Sequence, residues 1–218
     1  MSDLLTEACQ GGRRLEELGL SPGSSGNISV RIGDHVHISP TGQPLGGLVK
    51  DGLAVMALGP DGLEHVSGPR PSKEHGLHGA LYLRDPEALC VIHLHSTHAV
   101  AASCLPPWTE HSALPPLTPY LLMRVGNLPL IPYHPPGDAA QAQLLRELSI
   151  ECHGALLQNH GPVVAGRTVS EAVDRAIEIE LAAQTTMLVG QVPGVRVLTD
   201  RETEHLTSAY QQPWKVAL

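Results

Sequence analysis

The chain reads as one α/β domain with a mostly antiparallel sheet, and three observations predict this. Strand-like segments at 28–32, 35–38 and 54–58 are separated only by turn residues, the pattern of an antiparallel meander. Segments with helical spacing of apolar residues lie before, between and after the strands. No internal repeat and no shift in composition marks a linker, so residues 1–218 are read as a single domain.

The elements follow in order. Leu4, Leu5, Ala8, Leu15 and Leu18 have helical spacing over about 4–18, and Gly19 ends the run. A loop of small residues, Ser21 to Gly26, opens into the meander. Its turns are Gly33-Asp34, Pro40-Thr41-Gly42 and Gly59-Pro60-Asp61-Gly62. A second helix is predicted over 72–83, with Ser72 as its N-cap and Pro71 before it. An apolar strand ending in histidines follows near 91–95. The Pro-rich stretch 106–136 reads as loop with short extended pieces. A helix over 139–152, strands at 154–158 and 163–165 and a long helix over 169–189 complete the pattern, and the tail from Val192 reads as short and partly polar.

Composition bounds the function. At 218 residues and 42% hydrophobic, the chain can bury a sizeable core, but aromatics are 3% and Phe is absent, so Leu, Val, Ile and Ala must build it. A net charge of −8 argues against a nucleic-acid surface, which gathers Lys and Arg. No apolar run approaches the ~18 residues of a membrane span. Cys9, Cys90, Cys104 and Cys152 are scattered without a CxxC pair, a poor framework for disulfides or a cysteine-zinc site. Met1-Ser2-Asp3 lacks the basic and apolar regions of a signal peptide, so a soluble, reducing, cytoplasmic setting is expected.

The chemistry concentrates at Val91-Ile92-His93-Leu94-His95-Ser96-Thr97-His98. Residues two apart on a strand share a face, so His93 and His95 point the same way, while Cys90, Ile92 and Leu94 form an apolar opposite face. His160, held by Gly161-Pro162 after the apolar run 155–157, is the candidate third ligand. Three protein ligands and an open fourth position are expected of a catalytic divalent ion. Glu74, placed in the first turn of the second helix, is the acid/base candidate. Ser72 and Lys73 at that helix start, with the loops Gly26-Asn27 and Thr41-Gly42, offer donors for a phosphate if they converge.

The ordered series Gly26-Asn27-Ile28-Ser29, Ile38-Ser39-Pro40-Thr41-Gly42, Pro71-Ser72-Lys73-Glu74-x-x-Leu77-His78, His93-Leu94-His95 and Asn159-His160-Gly161-Pro162 resembles the class II aldolase/adducin family over roughly residues 5 to 190. The resemblance implies a three-layer α/β/α fold, a zinc ion on His93, His95 and His160, and a homotetramer with active sites near subunit interfaces. It further implies that Glu74 is the catalytic acidic residue, able to approach the metal without substrate. Gly26, Asn27, Thr41, Gly42, Ser72 and Lys73 fall at phosphate-binding positions. Sugar-phosphate aldolases of the fuculose-phosphate type carry Ser where this chain has Lys73, and a cation there can pair with a phosphate or a substrate carboxylate. All-histidine sites also accept manganese or cobalt.

Pro71-Ser72-Lys73-Glu74, His93 to Val100 and Pro115-Pro116-Leu117-Thr118-Pro119-Tyr120, with Met123-Arg124-Val125-Gly126, resemble the branch that decarboxylates 3-oxo-tetronate 4-phosphates. The implied reaction is a carbon–carbon lyase step through a metal-stabilised enediolate, leaving dihydroxyacetone phosphate and CO2. Glu74 would protonate C2, with Tyr120 a second candidate donor or a packing aromatic, and His98 a supporting residue off the metal face. The alternatives within the family are a fuculose-phosphate-type aldolase and a ribulose-phosphate-type 4-epimerase. An adducin-like interaction module is disfavoured, since it has no need of the three histidines and Glu74.

Overall fold

The computed structural model of the protein describes residues 3–190 and 192–215. Met1, Ser2, Gln191 and the last three positions of the chain lie outside the described residues, so the reading of 1–218 as one domain and the signal-peptide reading fall partly outside them. Among these residues eight strands form one sheet: β1 (Asn27–Ile32), β2 (His35–Ile38), β3 (Ala54–Gly59), β4 (Gly62–Ser67), β5 (Cys90–His93), β6 (Leu130–Ile131), β7 (Gly154–Leu157) and β8 (Gly161–Gly166). Their order is β4-β3-β2-β1-β5-β8-β7-β6, and every pairing is antiparallel except β6 with β7. Among the described residues seven α-helices flank it: α1 (Leu4–Glu17), α2 (His75–Arg84), α3 (Thr97–Ser103), α4 (Pro119–Arg124), α5 (Ala139–Glu147), α6 (Val169–Val189) and α7 (Asp200–Tyr210).

Period-2 alternation in the sheet separates two cores. Ile28, Val30, Cys90, Ile92, Leu94 and Val164 pack on one face against α1, α3 and α6. Val36, Ile38, Met56, Val91, Val163 and Ala165 pack on the other against α2 and α5. The result is three layers, α/β/α, as the sequence resemblance implies. Each fully buried Leu, Ile or Val contributes roughly 1.5–3 kcal/mol, so the many aliphatic side chains replace the missing aromatics. Arg175 on α6 is buried at 4% exposure, and its guanidinium donates to the carbonyls of Ala165 and Arg124.

Several expectations need correction. The second helix begins at His75, with Glu74 at its N-cap, and the chain before it is tied to the end of β2, where Ser72 N–H donates to the Ser39 carbonyl and Pro71 pairs with Pro40. Ser72 is therefore no N-cap. The helix expected to reach Cys152 stops at Glu147; Arg84 gathers the carbonyls of Arg146, Leu148 and Ile150 and pulls the chain out of helical geometry. The histidine strand ends at His93, and Ser96 stands at the N-cap position of a new helix that carries His98. Within 106–136, the stretch read as loop, α4 forms with Pro119 at its start. Edge strand β4 and helix α7 were not expected. β4 buries only Leu63, so its apolar signal is weak. The α7 signal was present as a capping box between Thr199 and Glu202.

Candidate metal centre

The site forms where three chain segments meet at one end of the sheet. β5 delivers His93 at its last residue, and the chain stays extended long enough for His95 to share that face. The three-residue turn between β7 and β8 delivers His160, with Asn159 in the left-handed region at φ +55°. The start of α2 delivers Glu74.

The three imidazoles close on one point. His95 Nε2 lies 3.0 Å from both His93 Nε2 and His160 Nε2, and Glu74 Oε1 lies 3.0 Å from His160 Nε2. Glu74 Oε2 is 3.5 Å from His93 Nε2, and the four ligand atoms lie within 4.8 Å of one another. His93 and Glu74 are buried, at 0% and 5% exposure, and His160 is at 8%.

This donor set fits a divalent cation. His93 Nδ1 donates to the Pro162 carbonyl at 2.9 Å, which turns the lone pair of a neutral ring's Nε2 toward the other ligands. Lone-pair atoms facing one another at such distances repel unless a proton or a metal ion sits among them. Glu74 Oε1 is buried without a hydrogen-bond partner, as an atom awaiting a cation would be. Burial pushes the His95 imidazole down to about 4, helped by the adjacent His93 and His160 rings, so it stays neutral and ligand-competent at pH 7. Burial alone would raise the Glu74 carboxyl, but the His160 and His93 rings hold it well below the usual carboxylate range.

Glu74 is the residue at the N-cap of α2 rather than in its first turn, and its carboxylate caps no N–H. It turns inward instead. Asn27 Nδ2 donates to Glu74 Oε2 at 3.0 Å, and the Asn27 Oδ1 accepts from His78. His78 Nδ1 lies 2.7 Å from Ser29 Oγ, which lies 2.8 Å from the Tyr82 hydroxyl. All of these residues are buried.

The phosphate-binding candidates lie on segments joined edge to edge. Ile28 N–H donates to Ser39 Oγ, Ser72 N–H to the Ser39 carbonyl and Thr41 N–H to the Arg70 carbonyl. The loops carrying Gly26-Asn27, Thr41-Gly42 and Ser72-Lys73 are thereby tied together beside Glu74. Gly26 sits at φ +79° against the His93 carbonyl, where a β-carbon would crowd the metal strand. Thr41, Gly42 and Lys73 are exposed, and the Lys73 charge is close enough to help hold His95 neutral.

Two candidates stand apart from the cluster. Tyr120 is 53% exposed on α4, not in a loop, and its ring faces the Arg124 guanidinium at 6.0 Å. His98 lies on α3 and binds the buried Glu180 of α6 at 2.7 Å; the same carboxylate accepts the His98 and Ala99 N–H groups and so caps α3 directly after His95.

Sequence reasoning assigned no role to Ser29, His78, Tyr82 or Glu180. A signal existed for the first three. Glu74, His78 and Tyr82 recur every fourth residue, and Asn27 and Ser29 every second, so one stripe of each element meets the other. Glu180 had none, since its partners are eighty residues away.

Residues 6–187 match the sequence profile described as the class II aldolase and adducin N-terminal domain. The chain is 42% identical over 216 residues to the 3-oxo-tetronate 4-phosphate decarboxylase of Cupriavidus necator, covering 98% of each chain. It is 31% identical to the L-fuculose phosphate aldolase of Escherichia coli, covering 86% of this chain and 85% of that one. The solved structure of YgbL from Escherichia coli superposes with a TM-score of 0.86 at 38% identity, covering 93% of this chain and 97% of that one. A profile match over most of the length, a shared sheet-and-helix frame and high identity from end to end agree: the chain belongs to the class II aldolase and adducin family.

Proposed function

We propose that this protein is a zinc-dependent carboxy-lyase that converts a 3-oxo-tetronate 4-phosphate to dihydroxyacetone phosphate and CO2. The carrying observation is that the chain with the Glu74–His93–His95–His160 cluster is 42% identical, end to end, to a decarboxylase of that name. The drop to 31% against an aldolase favours loss of CO2 over loss of an aldehyde.

His93, His95 and His160 would hold the ion, with Glu74 at the fourth position before substrate arrives. A divalent ion there supplies a Lewis acid for the negative charge that develops as the carbon–carbon bond breaks. The chain's residues supply the rest. Thr41, Gly42, Ser72 and the Gly26-Asn27 loop take the phosphate, and Lys73 adds a cation for the phosphate or the departing carboxylate. When C1–C2 cleaves, the electron pair passes toward the C3 carbonyl and C2 then needs a proton; Glu74, a carboxylate at rest, would take it from a solvent water and pass it to C2, leaving hydroxide to the solvent. Tyr120 is the second candidate donor; its exposure on α4 suits delivery to a neighbouring copy's site within a homotetramer. Four free cysteines support a reducing, cytoplasmic setting, and among the described residues no helix is long and apolar enough to cross a membrane.

The test is direct. Zinc-loaded protein is given 3-oxo-tetronate 4-phosphate of each C2 configuration, and CO2 and dihydroxyacetone phosphate are measured. Cleavage of fuculose 1-phosphate without any decarboxylation would replace this reading with the aldolase one.

A further inference from the structure

Glu74 can only accept hydrogen bonds as a carboxylate, and that fact propagates through its neighbours. The Asn27 amide must turn Nδ2 toward it, at 3.0 Å, which leaves Oδ1 facing His78 Nε2. His78 Nε2 must then carry the proton, so Nδ1 accepts from Ser29 Oγ at 2.7 Å. Ser29, having given its one proton, accepts from the Tyr82 hydroxyl at 2.8 Å. Every donor in the chain therefore points toward Glu74.

Asn27 still has a second amide hydrogen for a ligand, so a phosphate role is compatible with this one. The surroundings protect the arrangement. His78 and Ser29 are at 0% exposure and Tyr82 at 1%, so water does not compete for these bonds. Burial lowers the His78 imidazole to about 3, with the nearby His93 ring adding to the effect, which keeps His78 neutral with one proton to place.

We propose that His78, through Asn27, is a positioning residue: the one-way chain Tyr82–Ser29–His78–Asn27 holds Glu74 by Oε2 and leaves Oε1 free for the metal or for proton transfer. This rests on the reading of Glu74 as the acid/base residue. Without the chain only the Glu74 carboxylate itself orients the Asn27 amide and no donor holds Oδ1 in place, while the flipped form sets an oxygen against the Glu74 carboxylate.

The experiment has two arms. Nitrogen-15 NMR of the unmodified, zinc-loaded protein at pH 7 is expected to show His78 protonated at Nε2 and bare at Nδ1. The opposite tautomer or an imidazolium would overturn the proposal, whatever the reaction proves to be. In the second arm, His78→Gln keeps a donor near the Nε2 position, whereas His78→Asn keeps only the Ser29 contact. His78→Gln is expected to retain kcat within about tenfold and His78→Asn to lose roughly 100-fold, with KM and zinc content near the starting values in both. A His78→Asn protein that melts like His78→Gln yet turns over like the unmodified protein would also overturn it. Absence of decarboxylation in the unmodified protein would instead count against the proposed reaction, and the tautomer would still decide the chain.

Discussion

Gly161 lies so close to Leu94 that a β-carbon on it would overlap the Leu94 carbonyl oxygen. The contact joins the strand end that carries His93 and His95 to the turn that carries His160. The neighbouring Pro162 carbonyl reinforces the join by accepting both Leu94 N–H and His93 Nδ1. Gly161 also sits at φ +149°, a conformation that side chains resist. Gly161→Ala is expected to cost roughly 3 kcal/mol or more of stability and to separate the ligand pair. Thermal melts with and without zinc check this; an unchanged melt and unchanged zinc affinity would refute it.

His95→Ala removes the imidazole that touches both of the other two. It should lose zinc at equilibrium dialysis while staying folded, because His95 is only partly buried. Glu74→Gln should behave differently: zinc retained within about tenfold, turnover reduced ~100-fold or more. Equal loss of metal in both would make Glu74 a ligand only.

Glu180 satisfies two N–H groups at the start of α3 and the His98 ring at once. Burial would raise its carboxyl, but those donors hold it lowered. Glu180→Ala is expected to destabilise by about 2 kcal/mol and to weaken zinc binding several-fold, since α3 begins two residues after His95. Loss of stability with unaltered zinc affinity would show that α3 does not steer His95.

His153, beside Arg175, gives a pH prediction. Burial, aided by the Arg175 charge, lowers its imidazole from 6.5 to about 4. The folded protein therefore resists protonation that the unfolded chain accepts. Stability from this source is complete above pH 6.5 and declines as pH falls toward 4, by of order 3 kcal/mol. Urea midpoints across that window should fall less steeply in His153→Gln; identical slopes would rule this residue out as the cause.

Lys73 is exposed near the site and has the strongest claim on an anionic substrate. Lys73→Ala should raise KM about tenfold, with a smaller change in kcat and a weaker dependence on ionic strength. A large fall in kcat alone would assign Lys73 to the departing carboxylate instead of the phosphate.

Glu74, His93, His95 and His160, the four residues that cluster, were legible in the sequence, as were most of the elements that carry them. Period-2 spacing put His93 and His95 on one face, the Gly-Pro turn marked His160, and apolar periodicity delimited α6 at Val169–Val189. These are local properties, set by backbone geometry within a few residues. Partnerships between distant residues came only with the assembled fold. The Ser39–Ser72 hydrogen bond and the Pro40–Pro71 pairing, between residues far apart in sequence, tie the chain before α2 to the end of β2; α2 begins at His75 and the Glu74 carboxylate turns inward. The meeting of β1 with α2 turned Asn27 from a loop donor into the clamp on Glu74, and α6 supplied Glu180 to a helix eighty residues before it. Such contacts close only when the sheet assembles and buries both partners, and no short-range pattern encodes them.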